Sequence, residues 1–327
     1  MRFCGGGGLK HAPHAEPATA HPGQAGTGAG QARTAGLLLA IFGAIAFSGK
    51  AIIVKLAYRY GVDAVTLIML RMLFALPIFA AMGWWASRGK PPLSLRDWLG
   101  VVGLGFCGYY LSSFLDFAGL QFISASLERL ILYLNPTLVL LLAWLLYRKS
   151  FGRRQLAGMA ISYCGVVLVF GHEVQIAGPR TALGAALVFS SAVTYAIYLV
   201  YSGQLVRRLG SLRLVGLATS SACLFCLLQY AVLRPLGAVF EIAPQVVWLS
   251  VLNATLCTAV PVLLVMMAIE RIGPALAAQS GMVGPLSTIM MGVLILGEPF
   301  TAWIGAGTVL VIAGIFVFSR ASSAGTG

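Results

Sequence analysis

Ten apolar segments follow one another almost without a break from residue 35 to residue 319. Each is close to the ~20 residues that an α-helix needs to cross ~30 Å of hydrocarbon. They span 35–58, 64–85, 98–117, 122–146, 154–171, 181–202, 212–233, 246–268, 272–296 and 300–319. The runs are continuous rather than alternating, which predicts helices and not strands. Helices also satisfy their own backbone polar groups where no water can. With 59% hydrophobic and only 9% charged residues, the chain cannot hide its apolar surface inside a soluble core. The expected fold is an all-α integral membrane protein with ten transmembrane helices.

Within this run the chain repeats itself. Residues 123–170 align without a gap onto 272–319, placing Pro136 on Pro285, Phe151 on Phe300, Gly158 on Gly307 and Gly165 on Gly314. Eight of these 48 pairs are identical, so the shared plan carries the argument. Each copy is an apolar helix with a proline near its middle, a short turn, and a second apolar helix with two glycines seven residues apart. The expected organisation is a disordered cytoplasmic tail (1–34), a first five-helix repeat (35–178), a second (179–320) and a short C-terminal tail (321–327). Five crossings are an odd number, so the second repeat must be inverted relative to the first. Inverted repeats are a hallmark of secondary transporters, whose substrate site lies at the repeat interface.

Charge orients the bundle. Fifteen of the 22 basic residues fall on the side of the N-terminal tail, three on the other (Arg59, Arg180 and Arg234), and four inside segments. The positive-inside rule then predicts cytoplasmic termini. It also gives the net charge of +13 a meaning other than a nucleic-acid partner, since short basic loops face anionic headgroups. No apolar stretch with a cleavage site begins the chain, so no cleaved signal peptide is expected. The tail histidines and Cys4 are not pre-organised as ligands, and Cys223 and Cys226 lie inside an apolar segment. No metal and no cofactor are expected. Phosphate-binding glycine loops and a nucleophile with a histidine are likewise missing from the sequence, which predicts neither an ATP-driven pump nor an enzyme.

The run from Ser124 through the proline helix to GMAISYCGVVLVF, and its copy from Gly273 to Phe318, resemble the two EamA-type halves of the drug/metabolite transporter superfamily. LGEPFT at Leu296–Thr301, the Gly305–Gly314 run and Arg71 within IMLRMLFALP match that family's pattern. The resemblance covers nearly all of residues 35–320. It implies a ten-helix carrier of a bacterial inner (plasma) membrane, of a kind that often exports amino acids and other metabolites. One departure is visible: Glu298 is matched by Lys149 in the first repeat, so its role is not duplicated.

Charged side chains inside a bilayer cost at least ~2.5–3.5 kcal/mol, so they mark a cavity or a partner. Lys50, Arg71 and Glu128 sit at similar depths, within about one helical turn, and are expected to meet. Ser124, Glu128 and Asn135 form a stripe that ends at Pro136, which leaves the Leu132 carbonyl as a free acceptor at a kink. Pro285 is the equivalent kink, with Gln279 and Ser280 before it. Asp116 closes a stripe begun by Tyr109 and Ser112, while Tyr195 and Tyr198 offer hydroxyls from the sixth segment. Glu298 reads as a cap for the junction between segments nine and ten, Arg129 as a partner of Asp116, and Lys55 as an interface anchor.

These features predict a secondary carrier working by alternating access, exporting a small polar metabolite such as an amino acid. Lys50 and Arg71 would attract an anionic group, and Glu128 would neutralise them or carry a proton. A lipid or lipid-linked-sugar translocase and a non-transporting scaffold or sensor are the competing classes. Proton or ion coupling and a homodimer are both compatible with the sequence.

Overall fold

The computed structural model describes residues 24–147, 152–280 and 283–323, and all regular structure among them is helical. In order the helices are α1 (Gln24–Tyr58), α2 (Ala64–Ser87), α3 (Leu95–Leu104), α4 (Ser112–Leu120), α5 (Ala125–Leu132), α6 (Asn135–Tyr147) and α7 (Arg153–Ala177). The second half holds α8 (Arg180–Leu209), α9 (Ser211–Leu233), α10 (Pro244–Ala254), α11 (Val260–Ser280), α12 (Val283–Met291) and α13 (Ala302–Ser323). Eight of the crossings are helical stretches long and apolar enough to span a bilayer, and two shorter apolar ones, 283–296 and 302–317, complete ten. Exposed side chains such as Trp85, Leu145, Leu294 and Val309 cover the outside with apolar surface that only lipid can accommodate.

α1 starts at Gln24, eleven residues before the segment read from hydropathy. Residues 24–34 lie beyond Pro22, and the helix extends through them past its apolar stretch although Gly26, Gly28 and Gly30 are poor helix formers. The rest of the expected tail, 1–23, lies outside the described residues.

The repeats meet most closely where α7 runs against α13. A Cβ added at Gly165 would stand 2.7 Å from the Gly307 carbonyl oxygen, and one at Gly314 would stand 2.6 Å from that of Gly158. Backbone meets backbone here because glycine has no side chain. A second crossing of this kind pairs α2 with α9 at Gly83 and Gly216. α11 runs antiparallel to α1 as far as Ile272, which packs on Gly36. The chain has turned back by Gly284, which lies beside Ser48.

π-helical turns join α3 to α4 at Gly105–Leu111 and α10 to α11 at Thr255–Ala259, and another, Gly292–Leu296, follows α12. At the 149-residue offset that aligns Ile123 with Ile272, the first maps onto 254–260 and so encloses the second. The duplication is thus recorded in backbone geometry where side-chain identity has faded. Below, the near end of the bundle is the one from which α1 rises and at which α13 finishes; the far end is opposite.

Candidate functional site

Five ionisable side chains from α1, α2, α4 and α5 are buried together in the first repeat: Lys50, Arg71, Asp116, Glu128 and Arg129 are each at most 7% exposed. The Lys50 ammonium lies 2.5 Å from Asp116 Oδ2 and 3.4 Å from Glu128 Oε1, so one cation serves two carboxylates. Asp116 is 2% exposed and pairs with Lys50, not with Arg129. Removing one member of a buried set like this costs roughly 3–5 kcal/mol, because the others lose their counter-charge.

The arginines are held differently. Arg71 donates from Nε to Thr258 Oγ1 at 3.2 Å and lies over the Phe117 ring, 5.2 Å from its centroid. No carboxylate among the described residues comes within 4 Å of it, and its Nη1 has no acceptor. The π turn explains this partner: Thr258 donates to the Asn253 carbonyl at 2.8 Å, five residues back, leaving its lone pairs toward Arg71. Arg129 donates from Nε to Thr288 Oγ1 at 2.9 Å and keeps only a 4.0 Å approach to Glu128. The expectation that Lys50, Arg71 and Glu128 meet therefore holds for Lys50 and Glu128 and fails for Arg71.

A cavity of about 260 Å³ lies against this set, lined by Lys50, Arg71, Asp116, Arg129, Asn135 and Tyr195 among others. Glu128 sits behind Lys50 and is not in the lining. A second cavity of about 680 Å³ shares Phe47, Tyr109, Arg129, Tyr133 and Tyr195 with the first. It continues toward the near end past Ala40 and Ile269. Tyr198 lines this larger space, stacks on Tyr195 and shares a 2.9 Å hydrogen bond with the Tyr109 hydroxyl. Phe47 and Tyr133 went unnoticed in the sequence because an aromatic in an apolar helix gives no sign of which way it faces. Arg129 is a cavity residue that its neighbour Glu128 overshadowed.

Asn135 has a role that the kink did not reveal. The helix breaks between α5 and α6, and Asn135 Nδ2 donates to the Leu132 carbonyl at 2.9 Å. The acceptor expected to be free beside Pro136 is filled by the preceding side chain, whose Oδ1 has no partner of its own. Pro136 is the second residue of α6, where a missing N–H costs little, so it begins a helix rather than kinking one; Pro285 lies in α12 (Val283–Met291), close to residues outside the described ones. The side chains of Gln279 and Ser280 lie outside the described residues.

At the far end, a vestibule of about 610 Å³ shares no lining residue with either of these cavities. Between it and the charge cluster stands the N-terminus of α5. Ser124 caps this helix by accepting from Leu127 N at 3.0 Å, and Glu173 accepts in turn from the Ser124 hydroxyl and, at 3.3 Å, from its N–H. Glu298 accepts from Ala125 N at 2.8 Å, Ser126 Oγ at 3.1 Å and Ser126 N at 3.4 Å. Gly297, at φ 72°, makes the left-handed turn that swings Glu298 back onto this helix. Glu298 thus caps a helix of the other repeat rather than its own junction. Lys55 joins the same seal, donating to the Ile123 carbonyl at 2.8 Å.

The model of the EamA-like transporter family matches residues 34–171 and again 182–320. Among curated proteins, "Uncharacterized transporter YcbK" of Bacillus subtilis (strain 168) is 30% identical over 271 residues, covering 81% of this chain and 86% of that protein. An "Uncharacterized transporter" of Archaeoglobus fulgidus is 23% identical over 282 residues, covering 86% and 96%. A solved crystal structure superposes with a TM-score of 0.59 at 18% identity over 88% of this chain and 97% of its own, a likeness of fold. Two matched halves, ten apolar helices and relatives named as transporters agree: this multi-pass membrane protein belongs to the EamA-like transporter family.

Proposed function

We propose that the chain is a secondary carrier that exports a small polar metabolite, such as an amino acid or related compound, by alternating access. The observation that carries this reading is the unequal sealing of the two ends. On one side of the charge cluster, continuous cavity space runs toward the near end between α1, α8 and α11. On the other, Glu298 and Glu173 close the bundle over the α5 N-terminus. This is the form of a carrier accessible from one face. The 15-to-3 distribution of basic residues supports placing the near end in the cytoplasm, which would make the cavity the loading side for export from a bacterial inner membrane. The repeats are the moving bodies, divided near Gly178. Arg71 and Arg129 supply positive charge at the cavity wall, while Lys50 holds Asp116 and Glu128 as a neutralised group or a proton-exchanging one.

The test compares the culture media of cells overproducing the wild type and Arg71→Ala at matched membrane levels. A compound that accumulates outside only with the wild type is the expected result. Indistinguishable media across amino acids, nucleobases and organic acids would refute export, and labelled-lipid movement in vesicles would then be examined.

A further inference from the structure

The five buried ionisable groups do not balance. Lys50, Arg71 and Arg129 contribute three positive charges, Asp116 and Glu128 two negative ones, and all five are 0–7% exposed. One positive charge is left over in a place where an unpaired ion is costly. Arginine keeps its proton under all ordinary conditions, and Lys50 is the one cation held by both carboxylates, at 2.5 and 3.4 Å.

The geometry shows where the missing negative charge belongs. Arg71 is 6% exposed, lines the smaller cavity, has no carboxylate within 4 Å among the described residues and leaves Nη1 without an acceptor. The wall shared by both cavities carries four aromatic rings, Phe47, Tyr109, Tyr133 and Tyr195, beside Arg129, Val215 and Val262. A pocket with one unanswered guanidinium and an aromatic wall fits a ligand with one acidic group and a flat apolar body. We infer that the substrate is a monoanionic organic acid with an aromatic or similarly apolar body, held through its acid group by Arg71, rather than a zwitterion. An acidic group lowers the excess of positive charge beside Arg71. A zwitterion leaves the excess where it was and sets its ammonium in competition with Lys50 for Asp116 and Glu128. This inference rests on the carrier reading above and narrows its substrate class away from free amino acids.

The test uses three probes that share a phenyl body and differ in charge at neutral pH: phenylacetate, phenylalanine and phenethylamine. Thermal unfolding of the purified full chain in nanodiscs is followed by intrinsic tryptophan fluorescence, since a ligand that binds only the folded state raises the midpoint with its concentration. Phenylacetate is expected to raise it and the other two to leave it within error. Arg71→Gln should weaken the phenylacetate effect by about tenfold or more in concentration, and Arg71→Lys by less, because a charge-assisted hydrogen bond is lost in the first and a cation retained in the second. Stabilisation by phenylalanine or phenethylamine equal to that by phenylacetate overturns the inference, as does no stabilisation by phenylacetate into the millimolar range. If Arg71→Gln does not fold, the three-probe comparison on the wild type decides alone. A zwitterion preference would leave the carrier reading standing, whereas that reading falls separately if the cavity never becomes accessible from the far end.

Discussion

Glu298→Gln is the perturbation that bears most directly on how the far end is closed. The carboxylate accepts three hydrogen bonds across the repeat boundary, at 2.8, 3.1 and 3.4 Å, at a helix N-terminus. Glutamine keeps one acceptor oxygen, which can stay on Ala125 N, but its amide nitrogen then faces the Ser126 N–H and repels it. The loss is one charge-assisted hydrogen bond, about 1.5–3 kcal/mol, plus the ~0.3–1 kcal/mol of an anion at a helix N-terminus. Discounted for the half-buried setting, a net ~1.5–3 kcal/mol corresponds to roughly ten- to hundredfold in the balance between closed and open far ends. The assay places one cysteine at Ser113, a lining residue of the smaller cavity, in a chain whose six native cysteines are replaced. A membrane-impermeant maleimide is applied from each side. Labelling from the far side should rise by about an order of magnitude and labelling from the near side should fall. Equal labelling of wild type and Glu298→Gln from both sides, at equal membrane levels, would refute the seal. Glu298→Asp, one methylene too short to span the gap, should fall between the two.

Three further outcomes follow from the same geometry. Gly314→Ala forces a methyl group to within 2.6 Å of the Gly158 carbonyl and the Ser162 N–H, and should cost about 1–3 kcal/mol, read as a lower unfolding midpoint. Gly305→Ala meets only the Phe300 ring at 3.5 Å and should change little; a larger loss there would contradict the packing. Asp63 caps α2 and pairs with Arg234 at 3.1 Å. Burial pushes its carboxyl upward, but hydrogen bonds from Thr66 and Arg234 win and hold it below the usual range. Its folded pKa is depressed, so the stability it gives is complete above the ordinary aspartate value of ~3.9 and is lost as pH falls through the lower folded value. The advantage of wild type over Asp63→Asn, at most about 1 kcal/mol for so exposed a pair, should therefore shrink only in strong acid. A constant difference down to the lowest usable pH would count against the pairing. Glu128→Gln leaves Lys50 to Asp116 alone, with Arg129 beside them, and should flatten the pH dependence of transport; an unchanged rate and profile would remove Glu128 from proton movement.

How far the sequence discloses this arrangement depends on what kind of information each contact needs. Depth along a helix is readable from residue count, so Lys50 and Glu128 could be placed together. Direction around a helix is readable only while the helix stays regular. The π turn Gly105–Leu111 adds a residue to its turn and shifts the face presented by everything after it. Asp116 lies beyond that shift, and it pairs with Lys50 where residue spacing alone suggests Arg129. Glu298 was recognisable as a cap from its place after Gly297, but its target, 172 and 173 positions away, depends on how the repeats dock. Asn135 was visible as a polar residue beside a proline; that it fills the neighbouring gap follows only from the helix breaking rather than bending.

The same contacts explain why the two copies differ so much in charge. The strong ion pairs among Lys50, Asp116 and Glu128 all lie within the first repeat and would travel with it. Arg71 and Arg129 of that repeat reach across the boundary, and each meets a threonine of the second, Thr258 for Arg71 and Thr288 for Arg129. A hydrogen bond between a charged donor and a neutral hydroxyl can be broken and replaced by water or ligand without stranding a second buried charge. Had the second copy carried acids at these positions, each movement of one repeat against the other would separate a buried ion pair at several kcal/mol per pair. On the alternating-access reading proposed above, neutral partners in the second repeat would let the two halves move without separating buried ion pairs, and would leave Arg71 open to an acidic group in the cavity. Among the described residues, the carboxylate of the second repeat that grips the first is Glu298, and it lies at the far end, where the proposed carrier would need a hold firm enough to close that side and weak enough to release.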